Sequence, residues 1–177
     1  MPVNGETFRK IMGCFPAGVT VVTTVAEDGS PRGLTSSAVC AVSLEPPLLL
    51  ICVDRSSATL PSLRTHGSFV VNFLAEGQEA VARRFALKGG PDKFRGVAWR
   101  ASEAADGAPI LGEQSAAYAE CVTQREIEAG DHIVFIASIE AGDAFERAPL
   151  VFRRGIYRGW ALETEAKRTT TGTGVSG

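Results

Sequence analysis

The chain has 177 residues, with 18 Lys and Arg against 20 Asp and Glu and a formal net charge of −2. That length suits one domain, and 45% apolar residues supply a core, which excludes a chain too polar to fold. So even a balance gives no basic field for a nucleic acid backbone, and no apolar run approaches the roughly 20 residues that a membrane helix requires.

Phe8, Ile11, Met12 and Phe15 fall at i, i+3, i+4 and i+7, one apolar stripe of a short helix ended by Pro16. Gly18–Val25 is β-branched almost throughout and reads as a strand, with Val19, Val21 and Val25 on one face. Asp28-Gly29 then supplies a hairpin turn. A second strand runs from Arg32 to about Ser43, and Leu44-Glu45-Pro46-Pro47 turns the chain. Leu48–Val53 is apolar on both faces, which predicts a buried central strand. Ser57 or Thr59 caps a short helix carrying Leu60 and Leu63, and His66 ends it before Gly67. Phe69–Phe73 is a strand, and Gln78 to about Leu87 is a helix with Val81 and Phe85 inward.

Gly89-Gly90-Pro91-Asp92 breaks that helix, and residues 95–114 form an irregular excursion without periodicity. Residues 117–128 and 132–140 are strands joined at Ala129-Gly130-Asp131, the second apolar on both faces from Ile133 to Ala137. Leu150–Phe152 and Gly155–Tyr157 make a last hairpin. From Glu163 onward the polar, Gly/Thr-rich sequence reads as a disordered tail, which leaves 1–162 as the domain. Roughly seven or eight strands against two or three short helices, with no β-α-β alternation, predict a mainly β protein: an antiparallel barrel with peripheral helices.

Chemistry-bearing residues are few. Cys14, Cys40, Cys52 and Cys121 form no CxxC pair, so no zinc site or redox dithiol is indicated; three of the four sit among apolar neighbours and read as core. The two histidines, His66 and His132, lie far apart in sequence, which disfavours a metal site. Gly172, Gly174 and Gly177 spell GxGxxG without the strand before and helix after that the dinucleotide fingerprint needs. The first residues lack the layout of a signal peptide, so a cytoplasmic location is expected.

Thr35-Ser36-Ser37-Ala38 is more informative. Three hydroxyls and a small residue interrupt an apolar strand, either as a solvated edge or as a wall for a flat polar ligand. Ser56-Ser57-Ala58-Thr59 at a helix start suits ordinary capping or a phosphate. Arg83-Arg84-Phe85 reads equally as added charge for that phosphate or as an exposed arginine pair, and Lys93-Phe94 is similarly ambiguous.

Together, residues 15–23, 33–38, 42–48 and Gly130-Asp131-His132 resemble, in order and spacing, the flavin reductases of the FMN-binding split-barrel superfamily. The closest resemblance is to the reductase components of two-component flavin-dependent monooxygenases. It covers about residues 6–160 and implies a homodimer of antiparallel, six-stranded, Greek-key-like split barrels with flavin near the subunit interface. It also implies hydride transfer from NADH, with NADPH left open, to FAD or FMN, and delivery of diffusible reduced flavin to a monooxygenase component. Gly18 falls in the first matched segment and is carried over as a flavin contact. Thr35, Ser36, Ser37 and Ala38 would line the isoalloxazine and ribityl chain, and Cys52, Val53 and Asp54 would continue that wall. Ser57 and Thr59 would hold phosphate near Arg84 and Phe85. His132 would face the nicotinamide, and Tyr157 would help close the site. Ser37 stands where many relatives carry Asn. A pyridoxamine-phosphate-oxidase-type enzyme with retained FMN and a non-catalytic flavin-binding module are the competing readings.

Overall fold

The structure, a computed structural model, describes residues 1–160. The expected tail from 163 and its three glycines lie outside the described residues. Asn4 opens the first element: its side chain accepts from the Thr7 backbone N–H at 2.9 Å and caps helix α1 (Gly5–Met12). Strands β1 (Ala17–Gly18), β2 (Thr20–Val25), β3 (Pro31–Ser36), β4 (Val39–Ser43) and β5 (Leu48–Asp54) follow. Helix α2 (Leu60–His66) ends at Gly67, whose φ of 74° is the left-handed cap glycine permits. Strand β6 (Ser68–Leu74), helix α3 (Glu79–Ala86) and a 3₁₀ turn at Pro91–Phe94 come next. The excursion holds only a two-stranded ribbon, β7 (Arg100–Ala101) with β8 (Pro109–Ile110), and a second 3₁₀ turn at Gly112–Gln114. Long strands β9 (Ser115–Ala129) and β10 (His132–Ala144) and the hairpin β11 (Leu150–Arg153)–β12 (Ile156–Gly159) complete the chain.

Seven strands form one antiparallel sheet in the order β3-β2-β6-β9-β10-β5-β4. Its two edges, β3 and β4, are consecutive in the chain and separated only by Ser37 and Ala38. Three Cα–Cα steps span about 11 Å at most, so the sheet must curl until its edges approach. β3 and β4 are not paired with each other, so the hydrogen-bonded ladder stays open. The expected strand from Arg32 to Ser43 is thus two strands on opposite edges, broken where Ser36 Oγ accepts the Ala38 N–H at 3.1 Å. A separate small sheet, β1-β11-β12, packs beside it.

The interior of the curl holds Val22, Ile51, Val53, Phe69, Val71, Ile133 and Phe135, while Val21, Leu74, Ala82, Phe85, Phe94 and Leu150 make a second cluster under α3. Asn72 is fully buried and ties the excursion to the sheet: Nδ2 donates to the Val21 carbonyl at 3.1 Å, and Oδ1 accepts the Leu111 N–H at 2.7 Å. No helix among the described residues is long and apolar enough to cross a membrane.

Several expectations need correction. The α1 stripe does not face a core: no residue of α1 is buried, and Phe8, Ile11, Met12 and Phe15 are all exposed. β5 is not buried on both sides. Leu49, Ile51 and Val53 enter the core, while Leu48, Leu50 and Cys52 stay half-buried on the outer face. β10 alternates in the same way. Of the cysteines, Cys121 alone is fully buried, and burial pushes its thiol up to about 12; Cys14 and Cys40 are exposed. On α3 it is Ala82 that is buried with Phe85, and Val81 is half-buried.

Candidate functional site

Thr35, Asp54, Ser57, Thr59 and Phe85 come from four segments, and the fold brings all five onto one cavity of about 220 Å³. β3 supplies Thr35, β5 ends at Asp54, the loop before α2 supplies Ser57 and Thr59, and α3 supplies Phe85. The loop is shaped by its own backbone. The Ser57 N–H donates to the Asp54 carbonyl at 2.9 Å, and the Ser56 N–H donates to Asp54 Oδ1 at 2.6 Å. These Ser56 hydrogen bonds hold the exposed Asp54 carboxyl below its ordinary range. Ser57 Oγ accepts the Thr59 N–H at 3.3 Å.

Two of the hydroxyl donors are already engaged. Thr35 Oγ1 donates to the Ala82 carbonyl at 2.6 Å, and buried Thr59 donates to the Gly33 carbonyl at 3.2 Å. Each retains lone pairs to accept from a ligand. Thr59 therefore does not cap α2 with its side chain. Phe85 stands against Gly33: a Cβ on Gly33 would lie 2.9 Å from the ring's Cδ1 and Cε1. Phe94 meets the same ring edge-on at 4.9 Å between centroids.

His132 is not among the lining residues but neighbours one of them. It pairs across the ladder with Asp54, and the Arg55 N–H donates to the Asp131 carbonyl, so the Gly130-Asp131-His132 turn abuts the loop that opens the cavity. Gly130 takes φ 63°, which its lack of a Cβ permits. The His132 Nδ1 is 2.8 Å from Asp131 Oδ1, and that contact holds the Asp131 carboxyl low. A neutral His132 would donate from Nδ1 and leave Nε2 as an acceptor.

The other expected residues fall elsewhere. Ser36 is buried, and Ser37 and Ala38 are exposed at the break between the edge strands, outside the cavity lining. Cys52 faces the outer side of β5, and the Val53 side chain is in the core. Arg84 turns away and donates to the Arg95 carbonyl at 2.7 Å. Tyr157 packs on Phe152 at 5.1 Å and lies under the Arg83 guanidinium. Gly18 sits in β1 opposite Val151. Leu34, Ala86, Leu87, Lys88 and Gly89 also line the cavity without any candidate role in the sequence, and Lys93, ambiguous there, lines it too. The break at Gly89-Gly90 was visible in the sequence, but not that it folds this turn back over β3.

The profile described as "Flavin reductase like domain" matches residues 12–161. The chain is 42% identical over 167 residues to a "Flavin reductase (NADH)" of Kitasatospora aureofaciens, covering 93% of this chain and 86% of the relative. It is 40% identical over 171 residues to the "Flavin-dependent monooxygenase, reductase subunit HsaB" of Mycobacterium tuberculosis, covering 95% and 87%. Among solved structures, the NADH:FAD oxidoreductase SgcE6 of Streptomyces globisporus C-1027 superposes with a TM-score of 0.82 at 35% identity, covering 92% of this chain and 96% of that one. The family match and the likeness to these relatives span nearly the whole chain, and the chain belongs to the flavin reductase-like domain family.

Proposed function

We propose that this chain is an NADH:flavin oxidoreductase that accepts FAD or FMN and supplies diffusible reduced flavin to a separate monooxygenase component. The convergence of Thr35, Asp54, Ser57, Thr59 and Phe85 on one cavity carries the reading, supported by the activities for which the relatives are named. The donor set fits a flavin nucleotide: hydroxyls at Thr35, Ser56, Ser57 and Thr59 and ammonium groups at Lys88 and Lys93 line the same space as the Phe85 ring. A bound flavin accepts the nicotinamide hydride, which is the cofactors' own chemistry. The chain binds and orients. Thr35, held by the Ala82 carbonyl, presents lone pairs on one wall. The loop at 54–59 holds the polar end, and His132, beside Asp54 in the ladder, orients the nicotinamide. No side chain acts as an acid or base. Ser36, Ser37, Ala38, Cys52 and Val53 lie outside that cavity and belong to this reading only where the flavin extends beyond it along β3 and β5. Gly18, Arg84 and Tyr157 enter it only through movement or a second subunit.

The family's split barrel is the reading of the curled sheet: with β3 and β4 counted as one strand broken at Ser37–Ala38, six strands remain. A homodimer is part of this reading, supported by the outer face of β4, β5 and β10, where exposed Cys40 and half-buried Leu50, Cys52, Val134 and Ile136 form an apolar strip. Leu44 nearby is 92% exposed. A second copy of the same face would remove that apolar area from water. Light scattering on the eluted protein tests this, with a monomer mass as the refuting result.

Steady-state oxidation of NADH and then NADPH, with FMN, FAD and riboflavin in turn, tests the activity. NADH oxidation dependent on added flavin is the expected result. Tightly retained FMN with oxygen-dependent amine oxidation and no need for nicotinamide would replace the reading with an oxidase. Flavin binding without nicotinamide oxidation would replace it with a binding module.

A further inference from the structure

Lys93 is the one buried lysine or arginine among the described residues, and none of their carboxylates pairs with it. Its residue is 8% exposed, on the 3₁₀ turn Pro91–Phe94. Its stem passes beside Gly89, where an added Cβ would lie 3.5 Å from Cε. Nζ donates to the Gly33 carbonyl at 3.1 Å and to the Phe85 carbonyl at 3.2 Å. An ammonium has three donors, and among the described residues the third has no acceptor. Nor does any carboxylate oxygen among them lie within 4.0 Å of it. Asp54 faces the same cavity but is not paired with it. Burial alone lowers the Lys93 pKa, with no carboxylate offsetting it. A charge left in such a place costs free energy unless an anion joins it. Lys93 lines the same cavity as Ser56, Ser57, Thr59 and Lys88.

We propose that Lys93 is the anion-recognising residue of this cavity, its free N–H donated to a phosphoryl oxygen of the flavin nucleotide, so that the site selects phosphorylated flavins over riboflavin. The inference rests on the flavin reductase reading above. The two carbonyls that hold the ammonium belong to Gly33 on β3 and Phe85 on α3. They fix its position before the ligand arrives, and a fixed charged donor costs less ordering on binding than a surface lysine. Lys88, exposed at the cavity mouth, adds charge without that restraint.

The test is the quenching of flavin fluorescence, titrated with the full-length protein. Wild type should bind FMN at least about tenfold more tightly than riboflavin, the effect of one charge-assisted hydrogen bond. Lys93→Gln, which keeps a donor for the carbonyls but carries no charge, should bring the two affinities to within about threefold of each other. Inorganic pyrophosphate should weaken FMN binding to wild type and leave riboflavin alone, a measurement that needs no variant to fold. Equal wild-type affinities overturn the assignment, as does a Lys93→Gln protein with an intact FMN-to-riboflavin ratio. If the variant changes only the ratio of KM for NADPH to NADH, the anion belongs to the nicotinamide nucleotide and the flavin assignment fails. Absence of binding for every flavin overturns the reductase reading and this assignment with it.

Discussion

Gly33→Ala is the most exposing substitution this structure offers. A Cβ there would sit 2.9 Å from Phe85 Cδ1 and Cε1 and 3.3 Å from Phe94 Cζ. Ordinary carbon contacts begin near 3.5 Å, so the ring must give way by about half an ångström or more. It has little room to do so, since Phe85 is 1% exposed and Phe94 meets it edge-on. Overpacking of this kind costs about 1–3 kcal/mol. For a domain of this size each kcal/mol moves the melting temperature by about 2–4 °C. The site should suffer too, because the Gly33 carbonyl accepts from both Thr59 Oγ1 and Lys93 Nζ, and Phe85 lines the cavity. Urea denaturation and flavin titration of Gly33→Ala should therefore show a lower midpoint and a weaker FMN affinity together. Gly18→Ala, where nothing lies within 4 Å of the added carbon, should keep its unfolding free energy within about 0.5 kcal/mol of wild type. Shortening the ring in Gly33→Ala/Phe85→Leu should cost less than the sum of the single changes, because the two compete for one space. A Gly33→Ala protein with wild-type midpoint and wild-type FMN affinity would refute the packing argument.

Further outcomes follow from the same geometry. Thr35→Val should weaken flavin binding by about 0.5–1.5 kcal/mol, and Ser37→Ala by a similar amount if the exposed strand break meets the flavin; unchanged affinity in both removes them from the site. His132→Ala should raise KM for NADH more than it changes flavin affinity, and the reverse pattern would remove it from the nicotinamide. Carboxyl NMR should find Asp54 titrating below the ordinary 3.8, with Ser56→Ala raising the midpoint. A carboxyl depressed on folding contributes stability above its unfolded pKa and loses it as pH falls through the lowered folded value, so this loop anchor should weaken only in strong acid. Asn72→Ala should lower stability by about 1–3 kcal/mol through the orphaned Leu111 N–H in the core, read as a shifted urea midpoint.

Local order was legible wherever periodicity or turn chemistry dictates it. The β-branched run before Asp28-Gly29, the helix stop at His66-Gly67 and the hairpin at Gly155 follow from propensity, φ restriction and alternation, and the chain adopts them. Hydroxyls at Thr35 and at 56–59 marked a polar cluster, but not that Thr59 is buried with its hydroxyl on the Gly33 carbonyl. Only the tertiary structure decided which faces are covered. An apolar run such as Leu48–Val53 reads the same whether its second face meets a helix, a second subunit or water, and here that face is half open. The α1 stripe has the period of a packed helix, yet none of its residues is buried against the rest of the described chain. The sequence offers Lys93 equally as added charge for a phosphate or as an exposed residue, and nothing in it marks the side chain as buried. Its burial arises because the glycine break turns the chain back over β3, putting one ammonium beneath two carbonyls from segments 60 and 8 residues away. Periodicity encodes which residues share a face; what that face meets is a matter of long-range contact, which no local pattern contains.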